Sequence, residues 1–244
     1  MIRKRFTFVS ALLLLFSALG ANAQPLKAEP YQLGRDYFSL QQPLSVRDRS
    51  KIEVMEIFRY GCIHCYRFDP LVKKWEAKLP QDVDLYRLPV VWDSETELQA
   101  RALFVAQAFG IADKIHDAIF AAIWSAPNAP APLNSEKRIK QLFLDQKIDG
   151  DQFDKAFNKS DAINSRVKDA KARLMAYKPA PNTPDMGTPE LLVAGKYRIS
   201  GSAFRETSEQ GVFAKMLEVA DYLIAKERSE KDKERNEKAA KPVK

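Results

Sequence analysis

The stretch Glu56-Ile57-Phe58-Arg59-Tyr60-Gly61-Cys62-Ile63-His64-Cys65-Tyr66 holds both cysteines of a 244-residue chain, and its reading decides the fold. Ile52 to Phe58 is rich in strand formers and partly alternates apolar with polar residues, which predicts a strand. Gly61 ends it. From Cys62 to Leu79, Phe68, Leu71, Val72 and Trp75 recur at helical spacing and Pro80 stops the run, so the cysteines open a helix. Pro70 inside that helix suggests a kink.

A helix N-terminus carries unpaired N–H groups and the positive end of the dipole, and both favour an anion. Cys62 in the first turn is therefore expected to have a lowered thiolate pKa. His64 between the cysteines adds a positive charge or a donated hydrogen bond. A stabilised thiolate makes the disulfide a better oxidant and Cys62 a better leaving group, while Cys65 faces inward as the resolving thiol. Other uses of the pair fit less well. A structural disulfide across three residues removes little unfolded-state entropy. A tetrahedral metal site lacks a second ligand pair, since the only other histidine is the distant His116, so no metal is expected. Haem attachment needs His after the second Cys, where Tyr66 stands.

Working outward, Tyr37 to Leu40 reads as a short strand and Val83 to Val91 as another. Then comes a long helical stretch. Ser94 with Glu97 fits a capping box, Ile111 to Trp124 is a second helix, a Pro-rich break spans Ala126 to Pro132, Ser135 caps a third, Asp151 opens a fourth, and about 162–177 is a fifth. Strand signals return at Glu190–Val193 and Tyr197–Ser200, joined by an Ala194-Gly195-Lys196 turn, and a last helix runs from about Ser208 to Ala225. The fold class is α/β: a small unit split in two by a helical insertion. The divisions are a leader at 1–23, the first half at 24–92, the insertion at 93–178, the second half at 179–225 and a charged tail at 226–244.

Residues 1–23 read as a secretory signal peptide: Arg3-Lys4-Arg5, an apolar run from Phe8 to Leu19, and a small-x-small site at Ala21-Asn22-Ala23. The run is short for a membrane anchor, and cleavage would start the mature chain at Gln24. That predicts export, without stable membrane insertion, to an oxidising compartment where a disulfide persists. The net charge of +7 does not argue for nucleic acid. Three of those charges sit in the leader and three in the tail, leaving residues 24–225 with 28 bases and 27 acids. Acids interleave with bases in the tail, so no nucleic-acid or membrane role is expected, and it reads as a solvated helix or a disordered extension, with Glu227–Lys231 and Glu234–Lys238 as helical pairs.

The opening segment resembles the active-site segment of the DsbA-like thioredoxin-fold family of periplasmic thiol:disulfide interchange proteins. Gly187-Thr188-Pro189-Glu190-Leu191-Leu192-Val193-Ala194-Gly195-Lys196-Tyr197 is similar to that family's cis-Pro loop and hairpin, and the insertion falls where the family has its own. The resemblance covers most of 35–225. It implies a thioredoxin-like fold with an inserted all-helical domain, Cys62 as nucleophile, Cys65 as buried partner, His64 as the family histidine, Pro189 as the cis-proline and Thr188 before it as a substrate-pairing residue. An ordinary trans proline in a turn is the alternative at Pro189. Glu56 matches a buried acid linked to proton transfer at Cys65, the alternative being a strand-edge glutamate facing water. No lysine stands in Val83–Val91 where some members pair one with that acid. Ile63 replaces the family's usual proline, with an effect on potential whose sign the sequence does not give. Arg59, Tyr60 and Tyr66 flank the pair as candidate substrate-groove residues. Phe68 reads better as core, and His116 as an ordinary surface or core residue.

The expected activity is a dithiol oxidase with no cofactor beyond the redox-active Cys62–Cys65 disulfide. It would act on reduced exported proteins and, by resemblance, be reoxidised by a DsbB-like quinone-linked membrane partner. A reductase or isomerase on the same residues is the alternative, and a non-redox peptide-binding chaperone a more distant one.

Overall fold

The computed structural model describes residues 29–125 and 129–240. The leader and its cleavage site, residues 126–128 of the Pro-rich break, and the last four residues lie outside the described residues.

β1 (Phe38–Ser39) is followed by β2 (Ile52–Phe58), α1 (Ile63–Glu76) and β3 (Val83–Pro89). Then come α2 (Ser94–Ala108), α3 (Ala112–Trp124), α4 (Glu136–Asp145), α5 (Gly150–Lys159) and α6 (Asp161–Ala176). The chain closes with β4 (Glu190–Val193), β5 (Tyr197–Ser200) and α7 (Glu209–Ala240). The sheet order is β1-β5-β4-β2-β3, with β2 and β3 parallel and every other pair antiparallel. This is the thioredoxin-like arrangement, interrupted between β3 and β4 by helices α2 to α6.

Strand alternation explains the layering. Ile52, Val54, Leu191, Val193 and Ile199 face a core shared with Phe68, Val72 and Trp75 of α1 and with Phe213, Met216, Val219 and Leu223 of α7. Met55, Ile57 and Leu192 face the other way, into a core filled by Leu103, Phe104, Ile119, Phe143 and Phe153 of the insertion. With both faces covered, all of β2 is buried. Phe68 is core, as its spacing indicates. Trp75 Nε1 donates to Asp221 Oδ1 at 2.8 Å, tying α1 to α7.

The hairpin between β4 and β5 needs its glycine. Ala194 and Gly195 have φ of 53° and 68°, and a Cβ on Gly195 would stand 2.1 Å from the Leu44 carbonyl oxygen. That close approach brings the Leu44 N–H to the Gly195 carbonyl at 2.9 Å.

Two sequence expectations are corrected. The capping box on α2 sits one residue earlier than Ser94/Glu97. Asp93 Oδ1 accepts from the Thr96 N–H at 2.8 Å and Thr96 Oγ1 accepts from the Asp93 N–H at 3.0 Å. Aspartate is as good a cap as serine, and threonine can take the glutamate's role. Of the two states expected for the tail, its described residues take the helical one, but the first turns after 226 are docked and not solvated. α7 continues, and Glu227, 3% exposed, accepts two bonds from Lys196 Nζ, each 2.9 Å. Arg228 grips Asp82 at 2.7 and 3.0 Å. Lys231 donates to the carbonyls of Arg49 and Lys51 at 2.9 and 2.6 Å, so the expected Glu227–Lys231 pair gives way to tertiary partners. From Asp232 to Ala240 the helix is exposed.

Candidate functional site

Cys62 is the N-cap of α1, with extended backbone, and its N–H donates to the Arg59 carbonyl at 3.1 Å. Both cysteines are free thiols: Cys62 half-buried, Cys65 buried at 1% exposure. The helix geometry that turns Cys62 outward turns Cys65 into the core beside Phe58 and Tyr60.

The two thiols are electrostatically opposite. The hydrogen bond from the Cys65 thiol, against the cost of burial, brings Cys62 down to about 5, helped by the Thr188 side chain and the amides of Cys65 and His64. Burial pushes Cys65 well above its ordinary value, and the hydrogen bond and charge of Cys62 push it further. At neutral pH the pair is therefore one thiolate and one thiol, sharing a proton contact. This is the polarity read from the helix N-terminus.

The Thr188–Pro189 bond is cis, as the resemblance implies. Thr188 is half-exposed, and its carbonyl accepts from the neutral Cys62 thiol at 3.3 Å. The loop bearing it is held by a network the sequence reading missed. Arg198 of β5, fully buried, donates to the carbonyls of Pro184 and Asp185, both at 2.7 Å. It also forks onto Glu190 at 2.9 and 2.6 Å. Glu190 in turn accepts from Tyr177 Oη at 2.6 Å and from the Gly187 N–H at 3.1 Å. The available sequence signal was a charged residue of opposite sign in each of two short neighbouring strands, Glu190 and Arg198.

His64 is exposed, and its Nδ1 pairs with Glu209 Oε1 at the start of α7, while Arg67 Nη1 binds Glu209 Oε2 at 3.0 Å. The imidazole is thus engaged by Glu209, a residue that sequence reading did not place at the site. His64, Thr188, Pro189, Glu209, Phe213 and Met216 line a cavity of about 420 Å³ beside the cysteines. Ile63 opens α1 half-exposed, at the position where proline is tolerated because its N–H has no intrahelical partner.

Arg59 is half-buried and its guanidinium lies against Gly61. Tyr60 corrects an expectation: it is 1% exposed and does not line a substrate groove. Its hydroxyl is 2.8 Å from His116 Nδ1, His116 Nε2 is 2.9 Å from Asp69 Oδ1, and its carbonyl accepts from Trp124 Nε1 at 2.8 Å. A buried phenol needs such a partner, and His116 supplies it from the insertion. His116 is thereby a core histidine. Tyr66, half-exposed, stacks near Trp124.

Glu56 is buried, not facing water, and stands opposite Arg87 in the β2–β3 register, with its Oε2 3.4 Å from Arg87 Nε. Arginine takes the place where a lysine was sought. Burial raises the Glu56 carboxyl to about 7 although Arg87 opposes the shift, and the charge of Glu56 acts on Cys65. Among the described residues no three His, Cys, Asp or Glu side chains gather as a metal site requires.

No family model matches the chain. Curated relatives do. The thiol:disulfide interchange protein DsbA of Azotobacter vinelandii is 35% identical over 213 residues, covering 87% of this chain and 92% of that protein. The protein of the same name from Pseudomonas aeruginosa is 33% identical over 226 residues, covering 92% and 98%. The crystal structure of Pseudomonas aeruginosa DsbA matches with a TM-score of 0.71 at 32% identity, over 84% of this chain and 98% of that one. DsbA of Xylella fastidiosa matches at 0.67 and 28% identity, over 83% and 100%.

Proposed function

From the premise that this chain belongs to the DsbA family and is a thiol:disulfide oxidoreductase, we propose that it acts as an oxidant, donating the Cys62–Cys65 disulfide to reduced exported proteins. A substrate thiolate attacks Cys62 Sγ; the Cys62–Cys65 bond breaks, and Cys65 leaves with the bonding electrons and takes a proton. A second substrate thiolate then attacks the substrate sulfur of the mixed disulfide, and Cys62 leaves as thiolate. The substrate dithiol has lost two electrons and two protons, and the protein disulfide has gained two electrons. No other cofactor takes part. The single observation that carries this reading is the contrast between a Cys62 thiol held near 5 and a Cys65 thiol raised well above its ordinary value. A thiolate that stable favours the reduced form and leaves readily.

The remaining residues take roles around that exchange. Thr188 offers backbone groups to a substrate strand, and Pro189 shapes the turn facing the cysteines. The cavity between Thr188, Pro189 and Phe213 gives an adjoining side chain an apolar seat. Glu56, raised to about 7, hands a proton to Cys65 as it leaves and takes it back on reoxidation. His64 and Arg59 border the approach, and Ile63 tunes the potential. The leader places the chain in the periplasm with Gln24 as first residue, and a DsbB-like quinone-linked membrane oxidase restores the disulfide.

Equilibration with glutathione buffers tests the direction. An oxidant has a potential above about −200 mV; a value near thioredoxin's, about −270 mV, overturns the reading in favour of a reductase. N-terminal sequencing of the periplasmic fraction checks the start at Gln24.

A further inference from the structure

Away from the cysteines, three arginines surround a cavity of about 530 Å³ where the insertion meets the sheet. Arg47 comes from the connection before β2, and Arg166 and Arg173 come from α6. Arg47 Cζ lies 3.9 Å and Arg173 Cζ 5.6 Å from the centre of the Tyr86 ring on β3, while Arg166 Cζ lies 4.6 Å from that of Phe104. All three guanidinium charges bear on Tyr86.

Two of the three are neutralised. Glu53, 2% exposed, accepts from Arg47 Nε at 3.0 Å and Arg173 Nη2 at 2.7 Å, and Arg47 also pairs with Asp84. Arg166 instead spends its hydrogen bonds on neutral acceptors, the Phe104 carbonyl at 3.4 Å and Gln107 Oε1. Among the described residues it forms no ion pair, and Asp169, at the exposed rim, pairs with none of the three. Half-buried, Arg166 has its charge opposed both by burial and by Arg47. Arg173 also lines the cavity, with its Nη1 and Nη2 bonded to the Ser45 carbonyl and to Glu53 at 3.0 and 2.7 Å. A cation without a counter-ion at the wall of a cavity is unfavourable until an anion arrives. Planar guanidinium groups match a carboxylate in particular.

We propose that this cavity binds a small organic carboxylate, its charge held by Arg166 and Arg173 and its apolar body covered by Leu44, Phe104, Ala172 and Ala176. The site is separate from the cysteines and does not depend on the direction of their chemistry.

The test is amide NMR on the full chain, titrated in parallel with benzoate, the neutral isostere benzyl alcohol, and inorganic phosphate. Benzoate is expected to give saturable shifts confined to residues 44–47, 86, 104 and 166–176. Binding should weaken about tenfold or more in Arg166→Gln. Arg166→Lys, which keeps the charge but loses the fork, should fall between. Unchanged dithiol exchange in each variant reports an intact fold. Benzyl alcohol binding as well as benzoate, phosphate binding more tightly than benzoate, equal affinity in both folded variants, or no saturation by ~20 mM would each overturn the assignment.

Discussion

Glu56 and Arg87 face each other across the parallel pair β2–β3, yet the arginine gives its hydrogen bonds elsewhere. Arg87 Nη1 and Nη2 bind Glu76 at 3.3 and 2.7 Å, and its Nε, 3.4 Å from Glu56, has no hydrogen-bond acceptor. Glu56 therefore feels the arginine's field without a directed bond, and burial outweighs that field. A carboxyl near 7 can be protonated in one half of a redox cycle and ionised in the other.

Glu56→Gln tests this. The carboxyl is raised from 4.5 to about 7 on folding, so the folded state binds the proton more tightly. Stability from this group is lost as pH rises through that window. Relative to the wild type, Glu56→Gln is expected to gain stability between pH 5 and pH 8 in denaturant melts, with Arg87 retaining Glu76. In the exchange assay, a rate inflection near 7 should be present in the wild type and absent in the variant.

Cys62 behaves in the opposite sense. Its thiol is lowered from 9.0 to about 5 in the folded dithiol form, so the stability it contributes is complete above pH 9 and is lost as pH falls through 5. Thiolate absorbance should titrate with a midpoint near 5, and Cys65→Ala should raise that midpoint by removing its largest cause. The melting temperature of the reduced form, measured against the oxidised form, should climb from pH 4 to pH 8. A flat difference would contradict the assignment.

The parts of this site that were legible in the sequence are those fixed by local chemistry. Cys62 and Cys65 at a strand-to-helix junction declare one exposed and one buried thiol, because helical geometry sets the orientation of both. The β4–β5 turn declares itself through Gly195. What stayed hidden depends on partners far along the chain. Tyr60 passed for a groove residue because nothing near it reveals His116, 56 positions on. Glu209 reaches His64 across 145 positions. Arg87 was overlooked because only lysine was sought opposite Glu56. The tail was read as solvated because its charges look free until Lys196, Asp82 and the carbonyls of Arg49 and Lys51 are brought to them.

The buried pair Arg198–Glu190 predicts a large penalty for removing one partner. Arg198→Leu leaves the Glu190 carboxylate buried without its counter-ion and frees the Pro184 and Asp185 carbonyls. The expected loss is about 3–5 kcal/mol in urea melts. Because the same guanidinium holds the loop that carries Thr188 and Pro189, the folded variant should also react more slowly with substrate thiols. The double variant Arg198→Leu with Glu190→Leu should recover part of the stability but not the rate, separating the charge penalty from the loop's positioning.

The continuation of α7 predicts where the chain can be cut. Ending it after Ala225 removes Glu227, Arg228 and Lys231 together. Lys196 and Asp82 lose their partners, the carbonyls of Arg49 and Lys51 lose a donor, and the part-buried turn of α7 against them is gone. Partial exposure of these pairs discounts each one, leaving an expected loss on the order of 2 kcal/mol. Ending it after Lys231 removes only residues from the exposed stretch of helix and the segment beyond it, and the urea midpoint should not move. If both truncations leave the midpoint unchanged, the docked turn contributes nothing and the boundary belongs at Ala225. If both lower it equally, the exposed turns are supporting the helix. The docking contacts themselves require a loss in the first truncation and none in the second.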